Sequence, residues 1–174
     1  MIFYSQPYDT NKDIGSYYNK FMNLIPNNAT ACFTDGDTIF TTSDYGHRLQ
    51  LYLDLYTECG LFTCKTNRVK CQHQLAYNWH SEHMANHREF AQTLKSDFSI
   101  TDITNEQLFS GVMIMIRKST WKKIGPFQSG MLGIDNDIHL KARNNHESVY
   151  LMNGIYLYHW YRGGHTNNTK HLKG

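Results

Sequence analysis

Apolar side chains recur at Ile14, Tyr18, Met22 and Ile25, at spacings of four, four and three, which predicts a helix. Asp13 is placed to cap its start, and Pro26 stops it. Before it, "IFYS" at 2–5 predicts a buried strand and "QPYDTNKD" a loop. "ATACFT" predicts a second strand, followed directly by Asp35-Gly36-Asp37. Gly46 to Cys59 predicts a helix with Leu49, Tyr52, Leu53 and Tyr56 on its apolar face, ended by Gly60. Residues 61–78 show no clear period, and Trp79 to Leu94 predicts a polar helix. "GVMIMIRK" is continuously apolar, as in a strand buried on both faces. "STWKKIG" predicts a short helix with Ser119 as cap and Gly125 as stop. "DNDIHLKARNN" predicts another, with Asp135 at its cap and Asp137 in its first turn. "SVYLM" and "IYLYHW" predict strands around an Asn153-Gly154 hairpin or turn.

Strands thus alternate with helices, which predicts an α/β fold with a mixed sheet flanked by helices. In such sheets ligands sit beyond the carboxyl ends of the strands. The Asp-Gly-Asp segment, the Asp135 helix and His159 at a strand end can therefore face one crevice. Residues 1–174 suit a single domain, with 163–174 a flexible polar tail. The sequence holds no internal repeat and no low-complexity linker.

Charge and composition narrow the partners. Net charge is only +2, which argues for neither nucleic acid nor an anionic membrane. Nothing approaches the roughly 18 apolar residues of a membrane-crossing helix. The first ten residues lack the basic start of a signal peptide. Cys32, Cys59, Cys64 and Cys71 form no C-x-x-C pair, and the expected setting is reducing and cytoplasmic. Twelve tyrosines hint at a cleft for polar, ring-shaped ligands.

Four groups of residues could carry chemistry. Asp35 and Asp37, flanking a glycine that lets backbone approach closely, suit a hard divalent cation and the phosphates that complete its shell. A polar strand-to-turn transition explains the same tripeptide. Asp135 and Asp137 fit helix capping and the helix dipole, or a general base facing an acceptor hydroxyl. His159 suits a metal ligand or a core histidine, and Arg162 a phosphate contact or the surface. Finally His80, His83 and His87 fall at helical spacing, and with Cys64, Cys71 or His73 could bind zinc, although the cysteine spacing fits no familiar zinc module.

The order of these signals resembles the GT-A fold glycosyltransferases, most of all inverting, family-2-like nucleotide-sugar transferases. "NKDIGSYYN", from Asn11 to Asn19, is similar to that family's N-x-G helix and leads into "ACFTDGD", a strand ending in Asp-x-Asp. "FSGVMIMIRKSTWKKIGPF" is similar to its Ser-Gly strand, basic helix and Gly-Gly-Phe, with Pro126 for the second glycine. "IDNDI" resembles its ED-x-D-L helix, with Ile134 for the usual glutamate, and Tyr158-His159 its closing strand. The resemblance spans about residues 11–160.

It implies a GT-A-like, Rossmann-related domain shortened at the N-terminus. It also implies a hexosyltransferase-type activity that moves sugar from a nucleotide-diphosphate donor to a hydroxyl of a glycan, lipid-linked or protein acceptor. Asp35, Asp37 and His159 would hold manganese or magnesium. Asp35, Gly36, Asp37, Ser110, Gly111 and Arg162 would bind donor, Ser110 and Gly111 near the sugar or the acceptor. Asp135 would be the catalytic base, with Asp137 the alternative. The pocket for the nucleotide base would be reduced, supplied by Tyr4, Ser5, Pro7 and Tyr8, or absent. Segment 60–105 would meet the acceptor, and Trp79 and Trp121 would stack on a sugar or pack in the core. The rival expectations are a shortened transferase fold that binds sugar or a partner without turnover, and a zinc-binding interaction protein.

Overall fold

The computed structural model of the chain describes residues 1–77 and 81–161. Among these, the elements run β1 (Ile2–Ser5), α1 (Ile14–Leu24), β2 (Thr30–Thr34), β3 (Thr38–Phe40), α2 (Tyr45–Leu55) and β4 (Leu61–Thr66). There follow α3 (Met84–Thr93), β5 (Ile100–Asp102), β6 (Met113–Arg117), α4 (Lys118–Ile124), α5 (Ile134–Asn144) and β7 (Val149–His159). No helix among them is long and apolar enough to cross a membrane.

The strands form one mixed sheet in the order β1-β2-β6-β4-β7-β3, with β5 pairing β7 off this path. β1 is parallel to β2, and β4 to β7. β6 runs antiparallel between β2 and β4. The carboxyl ends of β1, β2, β4 and β7 therefore share one edge, together with the start of β6. The sheet curls: Tyr4 of β1 packs edge-on against Phe40 of β3, although these strands end opposite sides of the strand order.

Alternation along the buried strands divides the core in two. Ala31, Phe33, Ile114 and Ile116 face α1, α4 and α5, packing on Tyr18, Met22, Trp121 and Ile138. Cys32, Phe62, Met113 and Met115 face the other way, onto Leu49, Tyr52 and Leu53 of α2. Burial pushes the Cys32 thiol up to about 12, as befits an inert core thiol. Two adjacent cations at the β6–α4 junction serve these two layers. Arg117 donates to the carbonyls of Leu53 (2.8 Å), Tyr56 (3.3 Å) and Cys59 (2.8 Å). Lys118 donates to those of Asn23 (3.2 Å) and Ile25 (2.6 Å). Arg117 thus takes one carbonyl in the last turn of α2 and two in the turn that follows it, and Lys118 takes carbonyls at the end of α1.

Several elements differ from the sequence pattern. With Arg117 holding its last carbonyls, α2 ends at Leu55, not Cys59. α3 begins at Met84, with His83 as its cap residue. Arg117 rather than Ser119 precedes α4. Gly133, at φ 75°, stands at the cap position of α5, so Asp135 lies inside the first turn. Asn153-Gly154 makes no hairpin. β7 runs through it, with a register shift opposite Cys64 and Lys65. Gly154 donates its N–H to Tyr52 Oη (2.9 Å) and accepts Arg48 Nη2 (2.7 Å). Any Cβ there would lie 1.8 Å from the Asp97 carbonyl oxygen.

Helix α1 matters for the site because it holds the loop before α5. Asn19 Nδ2 donates to the Phe127 carbonyl (2.8 Å), and its Oδ1 accepts the Phe127 N–H (2.9 Å). Asp13 Oδ1 accepts both Ser16 N–H (3.2 Å) and Gly130 N–H (2.7 Å). These bonds hold the Asp13 carboxyl below its usual range. Gly15 makes the approach possible, since a Cβ there would sit 1.7 Å from the Gln128 carbonyl oxygen. Gly15→Ala is therefore expected to lose about 1–3 kcal/mol in a urea melt, the cost of overpacking against backbone. A loss below about 0.5 kcal/mol would show that the loop yields freely and is not clamped.

Candidate functional site

At the shared carboxyl edge lies a cleft of about 980 Å³. Asp35, Gly36 and Asp37, which follow β2, line it together with Ser110, Gly111, Asp135 and His159. The tripeptide is a closed turn. Asp35 donates its N–H to the Val112 carbonyl (3.3 Å), and its own carbonyl accepts Thr38 N–H (3.2 Å) and Oγ1–H (2.7 Å). Around Gly36 a Cβ would meet nothing within 4 Å, so this backbone faces open cleft.

The short strand β3 brings Asp37 to His159. Thr38 pairs with His159 across the β3–β7 ladder, and Trp160 N–H donates to the Asp37 carbonyl (2.9 Å). His159 is buried, and its backbone N–H donates to Asn67 Oδ1 (2.8 Å). Its Nδ1 lies 2.8 Å from the Arg68 carbonyl oxygen. A carbonyl only accepts, so Nδ1 carries a proton. Nε2 then points at Asp37 Oδ1, 3.3 Å away. A neutral imidazole would set two acceptors face to face there, and either a second ring proton or a cation must lie between them. A backbone acceptor behind the ring is also the usual orienting partner of a metal-binding histidine.

One ligand atom each from Asp35, Asp37 and His159 lies within 4.8 Å of the others, so the three could hold a metal ion. Two carboxylates and an imidazole suit manganese or magnesium. Burial pushes the Asp35 carboxyl up to about 6, with Asp37 and Asp135 adding to the rise and His159 opposing it. Hydrogen bonding to His159 holds Asp37 below its ordinary value. The group therefore carries the charge imbalance that a cation would relieve.

Across the cleft, Asp135 Oδ2 accepts the Gly111 N–H (2.8 Å) and Oδ1 the Asn136 N–H (2.9 Å). A Cβ on Gly111 would lie 3.2 Å from Asp135 Cβ, so glycine is what admits the carboxylate. Ser110 is pinned by buried Gln74, which accepts its N–H (2.7 Å) and donates to its carbonyl (3.1 Å). Asp137 is engaged elsewhere. Its Oδ2 accepts Lys141 Nζ (2.7 Å) and Gln128 N–H (3.1 Å), bracing the loop that α1 holds.

Other residues singled out in the sequence fall in different places. Of Tyr4, Ser5, Pro7 and Tyr8, Pro7 lines the cleft. Tyr4 packs on Phe40 and Tyr45, Ser5 meets Tyr17 Oη at 3.1 Å, and Tyr8 is exposed. Trp121 is a core residue, not a stacking platform. His87 is buried with both ring nitrogens occupied, by Tyr156 Oη (2.6 Å) and the Ser81 carbonyl (3.0 Å). With both nitrogens engaged inside the core it is a packing residue and not a zinc ligand, and burial lowers its pKa. Arg162, Trp79, His80 and the tail 163–174 lie outside the described residues.

From the 60–105 segment expected at the acceptor, Arg68, Val69 and Lys70, which follow β4, line the cleft. Tyr18, from the core face of α1, also lines it and was legible in the sequence only as an apolar helix position. Compared with known proteins, the chain matches no family model and no curated protein.

Proposed function

We propose that the chain is a metal-dependent glycosyltransferase of the GT-A type. It would transfer a sugar from a nucleotide-diphosphate donor to a hydroxyl acceptor with inversion. The observation that carries this reading is the convergence of Asp35, Asp37 and His159 at one wall of the cleft with Asp135 in the same cleft. The order of motifs along the sequence supports the same assignment.

Asp35, Asp37 and His159 would hold a manganese or magnesium ion, which supplies charge neutralisation for a departing diphosphate. The open backbone at Gly36 leaves room for donor atoms against the turn. Asp135, fixed by the Gly111 and Asn136 N–H groups, accepts the proton of the acceptor hydroxyl. The acceptor oxygen then bonds to the anomeric carbon as the bond from that carbon to the diphosphate oxygen breaks. Attack from the face opposite the leaving group inverts the configuration. Gln74 and the Asn19 clamp act earlier, by fixing the Ser110-Gly111 backbone and the loop before α5.

The test is a thermal-shift panel of UDP- and GDP-linked hexoses, with and without manganese or magnesium. At a ligand concentration about a hundredfold above Kd, a bound donor should raise stability by about 2.7 kcal/mol, and only when metal is present. A panel in which no nucleotide sugar stabilises the chain would refute the reading. Metal-dependent binding without metal-stimulated release of nucleoside diphosphate would instead identify a binding module.

A further inference from the structure

We propose that Tyr18 recognises the donor sugar, its phenol hydroxyl bonding to a ring hydroxyl or ring oxygen of the group transferred; this rests on the transferase reading above. Tyr18 is only 3% exposed, yet it lines the cleft. Its ring is held between Phe33, with centroids 4.1 Å apart, and Phe127, 5.1 Å apart. The helix carrying it is fixed by the Asp13 and Asn19 bonds to the α5 loop. The ring therefore has no freedom to turn its hydroxyl elsewhere.

That hydroxyl has no hydrogen-bond partner among the described residues, and it is not sealed from the cleft. A buried hydroxyl is ordinarily paired, and one left unpaired and aimed into a cleft calls for a ligand atom. Its surroundings say where. Asp35 and Asp135 line the same cleft as Tyr18, and their charges add to burial in raising the pKa of the phenol. With diphosphate at the Asp35 wall and acceptor at Asp135, the transferred sugar is what lies between. A phenol both donates and accepts, which suits a neutral polyhydroxyl ring and not a phosphate. A phenol is protonated at neutral pH and so able to donate.

Tyr18→Phe removes the oxygen and keeps the ring in its nest, so the melting temperature should barely change. The probes are the nucleotide sugar selected by the UDP- and GDP-hexose panel and the matching free nucleoside diphosphate, both with manganese. The variant should bind the nucleotide sugar roughly tenfold more weakly and the nucleoside diphosphate as well as wild type does. A series of monodeoxy donors gives an independent readout on the wild-type protein. One member should lose the same factor with wild type and nothing further with Tyr18→Phe. Equal donor affinity in the variant overturns the inference, as does an equal loss for sugar conjugate and free diphosphate. If Tyr18→Phe fails to fold, a deoxy series that binds wild type uniformly overturns it. If no panel member binds wild type at all, the transferase reading fails first and this inference falls with it.

Discussion

Asp135→Asn is expected to lower transfer by roughly 10²–10⁴-fold, the usual contribution of a positioned general base. Nucleotide and metal binding should stay close to wild type. An asparagine is nearly isosteric, and its amide oxygen can still accept one of the two backbone N–H groups that now hold the carboxylate. What it cannot do is take the proton of an acceptor hydroxyl. The loss should therefore fall on kcat and leave KM for the donor little changed. Asp137→Asn is the matched control. That carboxylate already neutralises Lys141 and accepts the Gln128 N–H, so its loss should loosen the loop before α5 and lower the melting temperature. Initial rates at saturating donor for the two variants separate the roles. Retention of more than about a tenth of wild-type rate by Asp135→Asn would remove it as the base. Abolition by Asp137→Asn alone would exchange the assignments.

How much of this was legible in the sequence depends on whether the information was local. Helix α1 was legible because its apolar period, its Asp13 cap and Pro26 all lie within the segment. β2 and β6 were legible because both faces are buried and the runs are unbroken. β4 was not: Lys65 interrupts its apolar run, and the Asn67-Arg68 pair that follows is buried by contacts with β7 and with Ser81 and Glu82. β3 and β5 have three residues each, too few for any period to show. The Asn153-Gly154 signal misled because the partners of Gly154 come from Tyr52 and Arg48, about a hundred positions away.

The candidate site divides in the same way. Asp35, Asp37 and Asp135 were visible as acidic pairs at element ends. The choice between Asp135 and Asp137 was not, because it turns on Gly133 taking the cap position and on Lys141 claiming the second carboxylate. The meeting of Asp37 with His159 depends on the β3–β7 pairing across more than a hundred residues. Tyr18 was legible only as an apolar position on its helix. Its hydroxyl acquires a meaning once Phe33 and Phe127 fix the ring.

Asp37→Asn should abolish manganese-dependent stabilisation and donor binding without destabilising the metal-free chain. The amide can donate to His159 Nε2, so the variant keeps a hydrogen bond in place of the Asp37–His159 contact. It also removes a negative charge that raises the neighbouring Asp35 pKa. Relief at Asp35 offsets the lost Asp37–His159 contact, so the metal-free melting temperature should stay close to level, even as the site loses its ligand. The same charges set a pH dependence. Asp35 titrates in the folded chain near 6, above its ordinary value of 3.8, so the folded state binds the extra proton. Its contribution to metal-free stability is fully present below about pH 4 and is lost as pH rises through about 6. A ligating carboxylate must be unprotonated, so manganese affinity should fall by up to about tenfold per pH unit below 6. Added manganese should thus stabilise the chain at pH 7.5 and do little at pH 5, while the metal-free chain shows the opposite trend from this group. Asp37, with its lowered pKa, remains ionised across that range and cannot produce the change. Titrations of manganese by calorimetry at three pH values check both signs. An affinity that is flat from pH 7.5 to 5, or an Asp37→Asn variant that still binds nucleotide only with metal, would place the ion elsewhere and leave the three side chains as a structural cluster.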